Sequence, residues 1–125
     1  MDSFGKLIYS SNTATGEAIS KIESHTPKIE ASESVNAGKL SEVRIVIGPH
    51  PNTIEHSIRR IELYVGEENR PFNPVLLAVV DLTPVYNDPD IKLNLKLSKS
   101  GTLYAVGYCN LHGLWEGHKE IKVTQ

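Results

Sequence analysis

The chain has one cysteine, one methionine and five histidines, at positions 25, 50, 56, 112 and 118. Imidazole and thiolate are the principal nitrogen and sulfur ligands of transition metals, so the positions of these residues bear on whether the chain holds a metal. Cys109-Asn110-Leu111-His112-Gly113 sets a thiol and an imidazole three residues apart, close enough to share one centre, and Gly113 permits a tight turn. Gly48-Pro49-His50-Pro51 carries a second imidazole between two prolines, and His56 follows six residues later. Fixed backbone matters here, because ordering a mobile residue costs about 1–2 kcal/mol. His25 lies in Glu23-Ser24-His25-Thr26-Pro27. His118 follows Gly113 and Trp115 outside these segments and is read as a surface imidazole. Taken singly, a lone cysteine is ordinarily an inert core thiol. The case for a metal rests on co-occurrence of four histidines and the cysteine at the ends of strands.

Those strands are legible as alternation of apolar and polar residues. In 40–47, Val43, Ile45 and Ile47 fall on one face and Glu42 and Arg44 on the other. Segment 58–65 repeats the pattern at Ile61, Leu63 and Val65, and 91–97 alternates Ile91, Leu93, Leu95 and Leu97 with Lys92, Asn94 and Lys96. The continuous apolar run 75–82 reads as a buried strand, 103–108 as another, and 120–123 as a short last one. Turns are expected at 66–69, at Asn87-Asp88-Pro89-Asp90 and, as a hairpin, at Ser98-Lys99-Ser100-Gly101. Pro27 biases Thr26 to extended backbone, so 22–30 reads as a loop feeding a strand. Residues 1–20 show no periodicity and read as an arm or a short helix. The expectation is one all-β domain over 1–125: an immunoglobulin-like antiparallel β-sandwich of about seven strands. Such a sandwich gathers the loops that carry the histidines at its ends.

Composition narrows the function. A net charge of −2 excludes a dominant basic footprint for nucleic acid. No apolar run approaches the roughly 18 residues of a membrane span, and the first residues lack the apolar stretch of a secretory leader. A single cysteine allows no intrachain disulfide and fits a reducing, cytoplasmic compartment. Four imidazoles and one thiolate exceed the tetrahedral needs of structural zinc. A blue-copper centre takes two histidines, one cysteine and an axial methionine, and the only methionine is Met1. Five such ligands suit iron with one open position. Two rivals remain: a cupredoxin-like electron-transfer protein, and a plain immunoglobulin-like binding module in which the histidines are incidental.

Three blocks bear a resemblance to the one-iron superoxide reductases of the neelaredoxin type, in the desulfoferrodoxin family. Glu23-Ser24-His25-Thr26-Pro27 resembles that family's Glu-Lys-His-x-Pro block. The segment from Pro49 to His56 resembles its two-histidine block, and that from Tyr108 to Glu116 its C-terminal signature. The resemblance spans about residues 21–125. It implies iron bound by His25, His50, His56 and His112 with Cys109 axial, and Glu23 as a sixth ligand of the ferric ion. It implies reduction of superoxide to hydrogen peroxide, a rubredoxin-like electron donor and a homotetramer. Two-iron relatives add a four-cysteine iron site, which a chain with one cysteine cannot build. The family lysine that attracts superoxide is replaced by Ser24, and Lys21, three residues earlier, is the candidate substitute.

Overall fold

The alternating segments become two stacked sheets in the computed structural model, which describes residues 1–125. Strands β1 (Lys28–Glu30), β3 (Leu40–Val46) and β6 (Asp90–Lys96) form a three-stranded sheet in the order β1-β3-β6. Strands β2 (Ser34–Asn36), β4 (Ile58–Glu67), β5 (Val75–Asp81), β7 (Gly101–Cys109) and β8 (Gly113–Thr124) form the second, in the order β2-β8-β7-β4-β5. The pairings are antiparallel except that β2 runs parallel to β8. The inward-facing residues of both sheets meet in one core. Val43, Ile45 and Ile47 pack with Ile61, Leu63 and Val65, Leu103 and Ala105, and Ile121 and Val123. The expected β-sandwich is therefore present, with eight strands.

Four local expectations are corrected. Residues 22–25 are not loop but a single helical turn, α1 (Ile22–His25), preceded by a 3₁₀ segment at Gly16–Lys21. Pro27 restricts only the residue before it: Thr26 is extended at φ −70°, ψ 121°, and the helix ends one residue earlier. The run 75–82 is not a buried strand but the edge of the larger sheet, with Leu76 54% and Val79 43% exposed. The 98–101 segment is not a hairpin, because β6 and β7 lie in different sheets and the chain crosses between them. The last strand is not confined to 120–123 but spans twelve residues from Gly113. Its inward positions include Gly117 and Lys119, which hide the period-2 pattern that Trp115, Ile121 and Val123 otherwise display.

That longer β8 makes β7 and β8 a hairpin whose loop is Asn110–Leu111–His112, closed by the pair Cys109–Gly113. Gly113 adopts φ 81°, a left-handed conformation that glycine enters without steric cost. The Cys-x-x-His segment is thus the tip of a hairpin rooted in the core. The arm holds 3₁₀ turns at Phe4–Leu7 and Gly16–Lys21. It is pinned where Tyr9 bridges Trp115: Tyr9 N–H donates to the Leu114 carbonyl (2.9 Å), and Glu116 N–H donates to that of Tyr9 (2.8 Å).

Candidate metal centre

At one end of the sandwich, α1, the loop before β4 and the β7–β8 hairpin converge. His25, His50, His56 and His112 form a closed ring of imidazoles. Successive ring centroids are 4.6 Å (25–50), 4.7 Å (50–56), 5.1 Å (56–112) and 5.0 Å (112–25) apart. The donor atoms of His25, His50, His56 and Cys109 all lie within 4.8 Å of one another. His112 completes the set through Nδ1, which lies 3.2 Å from His25 Nε2 and 3.7 Å from Cys109 Sγ.

The protons of this cluster can be placed. His25 Nδ1–H is shared between the Lys21 carbonyl (3.0 Å) and the Ser24 hydroxyl oxygen (2.8 Å). His50 Nδ1–H donates to the Pro51 carbonyl at 2.7 Å. Each of these bonds fixes a tautomer and leaves Nε2 as a bare lone pair, the orientation that outer partners impose on metal-bound histidines. Yet the two Nε2 atoms face each other at 3.1 Å. Two lone pairs at that distance repel unless a cation sits between them and the other donors. His56 Nε2 is buried with no hydrogen-bond partner at all, a condition buried nitrogen seldom tolerates. A metal ion satisfies every one of these atoms at once, so the residues fit the group.

The electrostatics point the same way, because metal binding requires neutral imidazole. Burial, followed by the charge of neighbouring His50, pushes His25 down to about 4. Burial also lowers His50, and burial with the nearby Lys21 ammonium lowers His112. Cys109 and His25 are buried, whereas His50, His56 and His112 are half-buried, so solvent reaches the cluster along these three imidazoles and not at the sulfur.

Two asparagines and a tryptophan build the frame, and for Asn110 and Trp115 local sequence pattern carries no mark of it. Asn110 clasps the segment that carries His56: its side-chain oxygen accepts from Ser57 N–H (2.9 Å) and its amide donates to the Glu55 carbonyl (2.8 Å). Asn52 anchors the His50 loop to the turn at 83–88. Its oxygen accepts from Val85 N–H (2.7 Å) and its amide donates to the Asn87 carbonyl (3.1 Å). It thereby holds Val85 at φ 75°, a costly conformation for a β-branched residue. Trp115 donates its indole N–H to the His112 carbonyl at 3.0 Å. In sequence these asparagines stand beside the clustered residues, in His50-Pro51-Asn52 and in Cys109-Asn110.

Of the other candidates, Glu23 is exposed on α1 and its carboxylate is not among the clustered donors. Lys21 immediately precedes α1, and its carbonyl orients His25. Ser24 is a second orienting group for the same ring. His118 is exposed on the outer face of β8, tilted against Tyr104 at 6.3 Å and away from the cluster.

A two-sheet β-sandwich bearing a mixed imidazole and thiol centre at one end defines a class of metalloprotein. The model of the desulfoferrodoxin family matches residues 17–118, and the chain belongs to that family. It is 41% identical to the superoxide reductase of Pyrococcus horikoshii, over 82% of this chain and 90% of that one. It is 34% identical to the neelaredoxin of Megalodesulfovibrio gigas, over 81% and 88%. Among solved structures, the superoxide reductase (neelaredoxin) from Ignicoccus hospitalis superposes with a TM-score of 0.93 at 62% identity, covering 98% of this chain and all of the other.

Proposed function

We propose that the protein is a superoxide reductase whose centre is held by His25, His50, His56, His112 and Cys109. The observation that carries this reading is the closed ring of four imidazoles over one buried thiol, within a chain of the desulfoferrodoxin family. Iron bound there supplies one-electron chemistry between its ferrous and ferric states. Met1, the only methionine, is fully exposed, so no thioether completes a copper site.

The chain contributes the rest. Four neutral imidazoles leave a dication's charge intact, and one thiolate reduces it to a net +1, which attracts the superoxide anion. Burial of the thiol at Cys109 would leave substrate to approach along the half-exposed imidazoles of His50, His56 and His112. A thiolate ligand also pushes electron density toward its metal, the lever that thiolate-ligated haems use. The balance is one superoxide, one electron and two protons to one hydrogen peroxide. Iron-loaded, reduced protein should therefore yield one peroxide per superoxide consumed and no dioxygen. Pulse radiolysis with peroxide and oxygen analysis tests this, and dioxygen release at dismutation stoichiometry would overturn it.

Lys21 serves here as the attracting cation in place of the family lysine. Its ammonium already depresses His112, so its field reaches the centre. A unit charge several ångströms away is worth about 0.6 kcal/mol in water and about 2 kcal/mol where partly desolvated. Lys21→Ala should slow superoxide capture by roughly 3-fold to 30-fold at low salt, with iron retained. The effect should shrink as screening shortens to about 10 Å at 0.1 M. Capture at the wild-type rate at low salt would reduce Lys21 to a solvated side chain.

Glu23 is the sixth ligand of the ferric ion. Residues two apart on a helix leave on different faces, so the Glu23 carboxylate reaches the centre only if α1 unwinds. A four-residue helix is marginal and rearranges cheaply. Glu23→Ala should shift the ferric absorption band while superoxide reduction persists, because the open ferrous site does not use the carboxylate. A ferric spectrum matching wild type at every pH would refute this role.

The same reading includes a rubredoxin-like electron donor and a homotetramer of a single 1–125 domain. Exposed Leu76 and Val79 on edge strand β5 support an interface between copies; light scattering that finds a monomer at micromolar concentration would remove it. No helix is long and apolar enough to cross a membrane. A reducing, cytoplasmic compartment suits a chain whose one thiol must stay unpaired.

A further inference from the structure

Trp115 is 1% exposed, and two rings lie against it. His25 is tilted on it at a centroid distance of 5.3 Å and 37°, and Tyr9 is stacked on it at 4.9 Å and 29°. Tyr9 is 40% exposed. An unbroken line of three π-systems in contact therefore runs from a ring of the metal cluster to solvent. Its outer member comes from an arm whose pairing to the sheet is at this residue. Burial of the indole explains the need for a cover, but any aliphatic side chain covers. The ring chosen is one of the two side chains that give up a single electron most readily, and it stands beside the other.

We propose that Tyr9 and Trp115 form an electron relay that drains oxidising equivalents from the centre to the surface and so spares Cys109. The proposal rests on the superoxide reductase reading, in which each turnover leaves hydrogen peroxide and oxidised metal, and re-reduction by the donor then sets a reduced metal and a thiolate in reach of that peroxide. Hydrogen peroxide takes two electrons and two protons to become two waters. Ferrous iron held by the imidazole and thiol cluster would supply one of these electrons. Trp115 passes on the other from Tyr9, which releases its phenolic proton; the second proton comes from solvent. The metal ends ferric and Tyr9 a neutral phenoxyl radical. A soluble thiol returns a hydrogen atom to Tyr9, and two such thiols close to a disulfide. Without the relay the second electron comes from the nearest oxidisable group, the Cys109 sulfur, and further molecules of peroxide then supply the oxygen atoms and oxidising equivalents that carry it to sulfinic and sulfonic acid.

The test has two arms and one conservative variant, Tyr9→Phe, which keeps the stacked ring and removes the phenol. In the first arm the metal-free protein is oxidised by a photogenerated ruthenium(III) complex. Trp115 is the only tryptophan, so the indolyl radical seen by transient absorption is its own. Its lifetime should be roughly tenfold longer in Tyr9→Phe, equivalent to about 1.4 kcal/mol in barrier. In the second arm the reduced, iron-loaded protein receives one equivalent of hydrogen peroxide. Freeze-quench EPR should show a tyrosyl radical in wild type that Tyr9→Phe lacks, and, after several further equivalents of peroxide, mass spectrometry should find Cys109 over-oxidation several-fold greater in the variant. An indolyl radical that never forms, an equal lifetime in both proteins, or equal oxidation of Cys109 overturns the relay. A wild-type protein that fails to consume superoxide overturns the activity instead, and leaves the metal-free photochemistry standing.

Discussion

Cys109→Ser should bleach the oxidised protein. The visible absorption expected of a thiolate bound to ferric iron is a sulfur-to-metal charge transfer, and Cys109 is the only thiol in the chain. Its sulfur is completely buried at the base of the imidazole ring. Serine fits the space but presents a hydroxyl that stays protonated at neutral pH and donates density poorly. Changes to outer partners of metal ligands already cost 10–100-fold in affinity or activity. Loss of the ligand itself should exceed about 100-fold in superoxide reduction, with the β-sheet circular dichroism unchanged. A visible spectrum identical to wild type would remove Cys109 from the ligand set.

Gly117→Ala should damage the same centre from outside it. Gly117 lies on the inner face of β8, where Thr26 and Pro27 cross directly above it. A methyl group there would overlap the Pro27 carbonyl oxygen and come within 3.5 Å of Thr26 Cγ2. The obstructing atom is backbone and cannot swing aside, so the segment must lift, and His25 is two residues away on it. Overpacking of this kind costs about 1–3 kcal/mol, which lowers Tm by roughly 5–15 °C in a domain of this size. Iron content after dialysis should fall along with Tm, because His25 Nε2 leaves the cluster. Gly5→Ala serves as the control, since nothing lies within 4 Å of its added methyl. Wild-type Tm and iron content in Gly117→Ala would show that the crossing is soft.

Sequence and structure agree where one physical rule acts alone. Alternation over 40–47, 58–65 and 91–97 located β3, β4 and β6 because each has one face in the core and little else to satisfy. The clustered segments are legible because chemistry restricts residue type more tightly than packing does: His50, His56, Cys109 and His112 offer imidazole and thiol groups that few other side chains could replace as donors. The failures arise where two rules compete. In β8, close approach of the Thr26–Pro27 crossing demands glycine at 117, which erases the apolar mark of an inward position. In β5, an apolar run signals burial, yet the strand lies at the edge of its sheet with Leu76 and Val79 facing out. Around Pro27, the proline constrains Thr26 alone, and the four residues before Thr26 close into α1. Asn52 and Asn110 act through backbone carbonyls and amides distant in sequence, and local pattern does not carry such partners.

The clustered side chains are dispersed along the chain: His50 meets His25 across 25 positions, and His112 meets it across 87. A bound ion therefore closes long loops, and an unfolded chain has no such constellation to offer it. Whatever binds only the folded form stabilises it by mass action, about 2.7 kcal/mol at a hundredfold excess over Kd and about 4.1 at a thousandfold. That is a large part of the 5–15 kcal/mol by which domains are stable at all. Iron supply then sets not only how much of the protein is active but how long each molecule survives. A cell starved of the metal would meet a population that opens more often and is cleared by proteolysis, so the abundance of the protein becomes a record of the iron available to it.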